Sequence, residues 1–256
     1  MTQFALSSFL IYCSIALIAL NKCNAIKIDG RILGGDEADA NATPYAASLR
    51  VDNAHACGAS ILDATHLVTA AHCLYRNSQL IDASRLSIRV GSTNQYAGGR
   101  ILTISKVTPH PDFYKLTNNI AVITTSEPLA WTTRIQPIAL PSSDSELPQE
   151  GDEVIVAGWG TTVDGSTSYK IREIALTYSS SSVCLDAYSD QDSRSFCLSH
   201  ALKEGTCHGD GGCGAVYNNE LVGLTNFVVG ACGSRYPDVF VNVRSYVDWL
   251  NEQLAA

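Results

Sequence analysis

The sequence contains a glycine-rich segment framed by two cysteines, CHGDGGCG at positions 207–214. A segment of this composition usually holds a reactive group, because glycine lets the backbone turn sharply and approach other groups closely. The segment has no serine, but it contains Cys213, and elsewhere the chain has His72 and Asn119. Cysteine, histidine and asparagine are the residue set of a thiol protease, in which a thiolate attacks a carbonyl and an imidazole transfers the proton.

The elements that must position these residues are mainly strands. The chain has 256 residues, 46% of them apolar, enough for one large β unit or two small domains that share a core. Alternating or short apolar runs predict strands, and Asn218-Asn219 predicts the turn of a hairpin over 215–225. The other predicted strands span 85–92, 101–107, 119–125, 153–160 and 238–243.

Only the C-terminal segment departs from this β pattern. Val247, Leu250 and Leu254 recur at helical spacing and predict one amphipathic helix. Short strands at regular spacing are typical of barrels and sandwiches. The sequence therefore predicts an all-β fold with one C-terminal α-helix.

The first 25 residues indicate a secretory signal peptide. An apolar run at 4–20 is followed by a polar stretch and by a small-residue cleavage site at Ala25. A membrane-anchored signal is the alternative, considered because no basic residue precedes the run. The net charge of −8 argues against nucleic acid or an anionic membrane surface as a partner. We expect a secreted protein that binds neither a cofactor nor a metal.

Secretion would place the cysteines in an oxidising compartment, where cysteines pair. The chain has nine, and two of them, Cys13 and Cys23, lie in the signal peptide, so seven remain. Because seven is odd, at least one thiol is expected to be free or bonded to another molecule. Asn41 begins the sequon Asn41-Ala42-Thr43 and is a candidate for glycosylation in the same compartment.

Five segments, in order along the chain, resemble those of the chymotrypsin/trypsin family of serine proteases over residues 32–256. They are RILGG (31–35), VTAAHC (68–73), NNIAVI (118–123), GWG (158–160) and CHGDGGCG (207–214). The resemblance implies two antiparallel six-stranded β-barrels with the active site in the cleft between them. It also implies a short propeptide at 26–31, cleaved after Arg31, so that the freed amino group of Ile32 pairs with Asp210.

The same resemblance assigns the catalytic positions and the disulfides. His72 is the catalytic histidine, but Gly211 stands at the serine position and Asn119 at the aspartate position. No hydroxyl is then available as a nucleophile, and in this family an Asp-to-Asn change alone costs about 10⁴ in turnover. Three disulfides are implied, with Cys213 left over as a free thiol: Cys57–Cys73, Cys184–Cys197 and Cys207–Cys232.

The specificity pocket of the family is also altered. Val228 stands where a glycine keeps the pocket open, and Gly205 stands at the pocket base, where trypsins carry an aspartate. Asp238 replaces another pocket glycine. Three interpretations of Asp238 stay open: it faces solvent, it pairs with Arg235, or it marks a ligand site.

These departures predict a catalytically inactive homologue of a secreted protease that acts by binding proteins. A more specific resemblance, to the inactivated scabies-mite paralogues of the group 3 mite allergen trypsins, rests on three segments and on the type of triad loss. The segments are IKIDGR (26–31), SRLSIRVGS (84–92) and YPDVFVNV (236–243). That resemblance implies a mite gut protein whose partners are host proteins and which inhibits host complement.

Two alternatives stay open, and the sequence leaves the oligomeric state undetermined. The first is a thiol protease that uses Cys213, His72 and Asn119, although Cys213 lies two residues beyond the nucleophile position and is expected to point away. The second is a decoy that binds protease substrates or inhibitors in the cleft, against which the bulk of Val228 counts.

Overall fold

The computed structural model describes residues 32–39, 41–162, 165–188 and 194–255. The predicted signal peptide at 1–25 and propeptide at 26–31 lie outside these residues. Among the helices of the described residues, none is long and apolar enough to cross a membrane.

The described residues form mainly short strands. In chain order these are β1 (Asp36–Glu37), β2 (Ala46–Val51), β3 (Ala54–Ile61), β4 (His66–Thr69), β5 (Tyr75–Arg76), β6 (Gln79–Leu80), β7 (Leu86–Val90), β8 (Arg100–Pro109), β9 (Ala121–Thr125), β10 (Glu153–Gly158), β11 (Arg172–Ser179), β12 (Ser195–Ser199), β13 (Gly214–Tyr217), β14 (Glu220–Phe227) and β15 (Asp238–Asn242). Two α-helices, α1 (Ser181–Ala187) and α2 (Val247–Leu254), accompany 3₁₀ turns at Ala71–Leu74, Ala83–Arg85 and Val243–Tyr246.

The strands close into two antiparallel barrels of six strands each. The first barrel runs β2-β3-β4-β9-β8-β7. The second runs β10-β13-β14-β15-β12-β11 and closes through the pairing of β11 with β12, while β1 adds to it at β11. Closure leaves few unpaired strand edges, which is the usual solution for an antiparallel fold of this size. The predicted fold class is therefore confirmed.

The predicted hairpin over 215–225 is also present. β13 and β14 pair antiparallel, and Asn218 and Asn219 between them have φ of 49° and 62°. Positive φ at both central residues is the requirement of a type I′ turn, which asparagine tolerates better than most residues. The five other predicted strands are all present, with boundaries that differ by one or two residues.

The expectation that only the C-terminus is helical was wrong, because α1 interrupts the β pattern of the second barrel. This helix is seven residues long, too short for its periodicity to be recognised in the sequence. It carries Cys184, which is fully buried and bonded to Cys197 on β12. The predicted C-terminal helix is α2, where Leu250 is buried.

Packing between the barrels fixes the cleft at their junction. One buried cluster takes Val68 and Val122 from the first barrel and Leu224 from the second, together with Trp159 just after β10. The Trp159 indole N–H donates to the carbonyl of Thr93 at 2.7 Å, so this large ring is buried without an unpaired donor. The resulting rigid junction holds the loops that carry the predicted site.

Candidate functional site

The 207–214 loop connects the Cys207–Cys232 disulfide to β13 and is tied to the first barrel through its carbonyls. The backbone N–H of Gly58 donates to the carbonyl of Gly211 at 2.9 Å, and His55 Nε2 donates to the carbonyl of Gly209 at 3.0 Å. Gly209 has φ of 96°, a conformation that a residue with a side chain rarely adopts. The glycines thus let the loop lie against the opposite barrel.

His72 and Asn119 meet next to this loop. His72 lies on the 3₁₀ turn at Ala71–Leu74, beside the Cys57–Cys73 disulfide, and Asn119 lies two residues before the start of β9. The backbone N–H of His72 donates to Asn119 Oδ1 at 2.8 Å, and Asn119 Nδ2 lies 2.7 Å from His72 Nδ1. Asn119 Nδ2 also donates to Asn226 Oδ1 at 2.6 Å.

These bonds fix the tautomer of His72. Because Asn119 Oδ1 already accepts a backbone N–H, the amide must present its NH₂ group to the ring, and Nδ1 must accept. The neutral ring therefore carries its proton on Nε2, the atom that would have to accept a proton in general-base catalysis. Burial lowers the pKa of His72, which further disfavours the imidazolium.

Gly211 is the loop residue that faces the His72 ring. An ideal Cβ built on Gly211 would lie 2.7 Å from His72 Nε2 and 3.0 Å from Cε1. The ring therefore occupies space that a side chain at position 211 would need. The structure brings together all three positions expected of the triad, His72, Asn119 and Gly211, but they have no nucleophile.

Cys213 lies on the other side of the loop, between the barrels. It is the free cysteine among the described residues and is buried. An ideal Cβ on Gly58 would lie 2.3 Å from its Sγ, and one on Gly158 2.7 Å from it. Burial, followed by the nearby charge of Asp210, raises the pKa of this thiol well above its usual value. A protonated thiol at this position is a poor nucleophile.

Asp210 and Ile32, the predicted activation pair, are both fully buried. Asp210 accepts hydrogen bonds from the backbone N–H groups of Gly160 at 2.8 Å and of Cys207 at 3.0 Å. Burial raises the pKa of this carboxyl to about 7, and the two donors only partly offset that effect. The residue after Ile32, Leu33, forms a two-bond backbone bridge with Gly205, so this segment already lies against the second barrel.

The structure resolves the three interpretations of Asp238. The residue is 2% exposed, and its Oδ2 accepts from the backbone N–H and the hydroxyl of Thr206 at 2.6 and 2.9 Å. Its Oδ1 lies 3.4 Å from Nε2 of His200, another buried side chain. Arg235 instead donates to the hydroxyl of Tyr236. Asp238 is therefore a buried internal group, not a solvent-facing one.

The arrangement around His200 favours its charged ring. Its Nδ1 donates to the carbonyl of Ala201 at 2.9 Å, so a neutral ring would direct the lone pair of Nε2 at the carboxylate of Asp238. Burial disfavours the charged ring, but the bond to Asp238 and its charge outweigh burial and raise the pKa of His200. Sequence reasoning did not single out His200 or Thr206, since neither lies in a motif.

The pair between His200 and Asp238 fills the base of the specificity pocket from inside. An ideal Cβ on Gly205 would lie 2.6 Å from Asp238 Oδ2 and 2.8 Å from His200 Cδ2. The open cleft has a volume of about 480 Å³, and its lining reaches Cys207 and Val228 but does not include Gly205 or Asp238. A basic side chain in this cleft would thus have no direct contact with the carboxylate.

The other residues singled out in the sequence lie at the surface or form disulfides. Asn41, the candidate for glycosylation, is exposed, and its Nδ2 donates to Asp39 Oδ1 at 3.1 Å. All three disulfides that the resemblance implied are present. Among the described residues, the group of side chains closest to a metal site is Cys57, His72 and Cys73, but a disulfide already joins both cysteines.

The two-barrel fold, the cleft and the position of the histidine define a chymotrypsin-like serine protease domain. The family model described as Trypsin matches residues 32–250, and the chain belongs to this family. It is similar to Serine protease SP24D of Anopheles gambiae, 32% identical over 86% of this chain and 80% of that protein. It is also similar to Trypsin alpha of Drosophila melanogaster, 33% identical over 88% of both chains, and to Trypsin 5G1 of Aedes aegypti, 31% identical over 90% and 87%.

Proposed function

We propose that this chain is a secreted pseudoprotease, a trypsin-family protein without catalytic activity that acts by binding other proteins. One observation carries the proposal: Gly211 faces His72 at the position of the nucleophile, so this position offers no hydroxyl to the ring. The family performs acyl transfer through that hydroxyl, and loss of it leaves only the binding contributions to the reaction.

The bonds around the ring support the same proposal. Asn119 holds His72 with the proton on Nε2. A water molecule that enters the cleft as a replacement nucleophile would therefore meet a hydrogen-bond donor and not a base. The carboxylate of Asp238 pairs with His200 inside the protein and does not line the cleft, so it does not supply a charge to the base of the substrate pocket. Nucleophile, base and primary specificity are thus altered together, whereas the fold and its disulfides persist.

The proposed site of action is extracellular. The predicted signal peptide at 1–25 supports export, and the three disulfides are those of a protein that matures in an oxidising compartment. The proposed partners are host proteins, with complement components as the specific candidates. The choice of complement rests on the resemblance to the inactivated mite paralogues. The choice of a binding role rests on the inference that an inactive scaffold is retained for binding.

The thiol-protease alternative is disfavoured by geometry. The Cys213 Sγ lies among Gly58, Gly158 and Asp210 in the buried junction, whereas Gly211 is the residue next to His72. The decoy alternative requires that a peptide enter the old cleft, where Val228 lines the cavity and Asp238 is out of reach. Both alternatives predict behaviour that a protein binding its partner through another surface does not show.

The test uses the purified secreted chain in two assays. We expect no cleavage of a broad peptide-substrate library, no labelling by a fluorophosphonate probe, and dose-dependent inhibition of complement-mediated haemolysis. A His72→Ala variant should inhibit lysis equally well, because the ring has no role in binding elsewhere on the surface.

Other outcomes would point to the alternatives. Peptide cleavage that is lost on thiol alkylation or in a Cys213→Ala variant would establish a thiol protease. Competition between a peptide inhibitor and the natural partner would establish a decoy. A chain that cleaves nothing and leaves haemolysis unchanged would retain the pseudoprotease assignment but remove complement as its target.

A further inference from the structure

Two neighbouring arginines, Arg50 and Arg89, lie on the outer face of the first barrel. β2 and β7 are adjacent antiparallel strands, and their register makes the two arginines diagonal neighbours. Both face outward, because the residues next to them, Leu49 and Ile88, lie in the core of the barrel. Each arginine is only 7% exposed, and cationic side chains are rarely so buried unless they pair with an opposite charge.

The hydrogen bonds of the two guanidinium groups use only part of their donors. Arg50 Nη2 donates to the carbonyl of Asn53. Arg89 donates through Nη1 to the carbonyl of Gly98 and through Nη2 to that of Tyr96, the latter at 3.3 Å. Three further nitrogens, Nε and Nη1 of Arg50 and Nε of Arg89, are buried and have no acceptor among the described residues. A buried charged donor without an acceptor is costly, and such an atom points to a water molecule or an ion at the site.

The positive charge of this pair is not neutralised within the part of the chain that the structure describes. The acidic residue nearest in sequence to Arg50, Asp52, is exposed and pairs instead with Arg85 and Arg76. Burial, followed by the charge of Arg89, lowers the pKa of Arg50. The two arginines therefore repel each other, and an anion between them would both relieve the repulsion and accept the unused N–H groups.

We propose that Arg50 and Arg89 together bind one tetrahedral oxyanion, phosphate or sulfate, from solution. The planar fork of N–H donors on a guanidinium matches the oxygen spacing of such an anion, whereas a chloride ion offers a single atom. The segments that accept hydrogen bonds from the pair, the turn at Asn53 and the loop at 96–99, are themselves exposed, so the site lies beneath a single surface layer. Neither arginine lines the cleft, and the site therefore does not depend on whether the protein is catalytically active.

The test is urea unfolding of the secreted chain at constant ionic strength while sodium sulfate, or sodium phosphate, replaces sodium chloride. We expect a saturable stabilisation, in which the ratio of folded to unfolded chain rises about tenfold once sulfate reaches about ten times its Kd. Sulfate also stabilises proteins through its exclusion from their surface, but that effect grows steadily with concentration and does not saturate. Isothermal titration calorimetry of the folded chain should give one sulfate per chain.

The arginine variants assign the effect to this pair. Arg50→Gln should weaken sulfate binding about tenfold to a hundredfold, the contribution of a charge-assisted hydrogen bond. Arg89→Gln should do the same and serves if Arg50→Gln does not fold. If neither variant folds, Arg50→Lys, which keeps the charge but has no planar fork, should weaken sulfate binding in the same way.

Arg85 provides the matched control, because its guanidinium already has a carboxylate partner, with Nε donating to Asp52 Oδ1 at 2.9 Å. Arg85→Gln should leave the dependence on sulfate unchanged. If Arg85→Gln weakens sulfate binding and the Arg50 and Arg89 variants do not, the anion lies at the exposed surface and the proposal is wrong. The proposal is equally overturned if chloride protects as well as sulfate, if neither assay shows saturable binding, or if the folded Arg50 and Arg89 variants retain full affinity.

Discussion

Replacing Gly211 by serine is the simplest change that would restore the missing nucleophile, and the structure predicts that it fails. An ideal Cβ on Gly211 lies 2.7 Å from His72 Nε2, whereas ordinary contacts begin near 3.4 Å. The ring would have to move by about 0.7 Å, the difference between these two values. It cannot move freely, because the Asn119 amide contacts Nδ1 at 2.7 Å and is itself anchored by the His72 backbone.

Overpacking of this kind costs about 1–3 kcal/mol in a well-packed site. We therefore expect Gly211→Ser to lower the free energy of unfolding by roughly that amount. The restored hydroxyl would also face the Nε2–H of His72, a donor that cannot take its proton. Asn119→Asp alone does not correct this, because Asn226 Oδ1 lies 2.6 Å from the Asn119 Nδ2 atom that a carboxylate oxygen would replace.

Asn226 is matched to an amide and not to a carboxylate at position 119. Its own Nδ2 donates to the carbonyl of Leu116 at 3.3 Å, so turning the Asn226 amide to face a carboxylate would set two acceptors against each other. We expect only the triple variant Gly211→Ser, Asn119→Asp, Asn226→Ser to regain a serine that His72 can activate as a base. Serine at 226 offers a hydroxyl donor to the carboxylate and has no second polar atom to leave unpaired.

Fluorophosphonate labelling is the suitable assay, because it reports an activated serine without requiring an open substrate pocket. Urea unfolding of each variant gives the stability change in parallel. The reasoning is refuted if Gly211→Ser alone is as stable as the natural chain and becomes labelled, since His72 would then be mobile and its Nε2 a working base. The Ser126→Ala variant, altered at an exposed serine that does not line the cleft, serves as a handling control.

Three further results are expected. The stability of the natural chain should fall as pH rises through the raised pKa of His200, because the stability contributed by that raised pKa is fully present below the unfolded pKa of about 6.5 and is lost as pH passes the folded value. Urea unfolding from pH 5 to 9 should show this slope, and an equal slope in His200→Gln would contradict it. Cys213 should resist N-ethylmaleimide in the folded chain and react once per chain in urea, as read by mass spectrometry; equal labelling in both states would show that the thiol is accessible. Gly205→Asp should destabilise the chain by about 3 kcal/mol or more and give no benzamidine binding, because its Cβ would lie 2.6 Å from the carboxylate of Asp238; calorimetric binding of benzamidine would refute this.

The sequence predicted the strands because they depend on local signals, whereas the two barrels and the expected triad positions came from the family resemblance of a few short motifs. Strand alternation, the Asn218-Asn219 turn and the motif around His72 are each contained in a short stretch. It did not predict α1, which is shorter than two helical repeats and is positioned by the Cys184–Cys197 bond. Features that depend on a contact between distant segments were harder to predict than residues that lie within one sequence motif.

The environment of Asp238 shows this limit most clearly. Its two partners, Thr206 and His200, lie 32 and 38 positions away in the sequence, in segments with no motif. A buried carboxylate requires partners, but that rule does not identify them. The second amide of the site, Asn226, lies two residues before Val228, yet its match to Asn119 becomes evident only from the structure, where Asn119 Nδ2 and Asn226 Oδ1 are 2.6 Å apart.

The retained CHGDGGCG loop has a structural explanation that does not require catalysis. Its carbonyls at Gly209 and Gly211 accept bonds from His55 and Gly58 of the first barrel, so the loop joins the barrels. Asp210 then fills the space beside the GWG segment, where a Cβ on Gly160 would lie 2.2 Å from its carboxylate. Cys213 closes the same junction. A glycine in place of a serine at position 211 removes no hydrogen bond from this set, so the loop keeps its structural role in the proposed pseudoprotease.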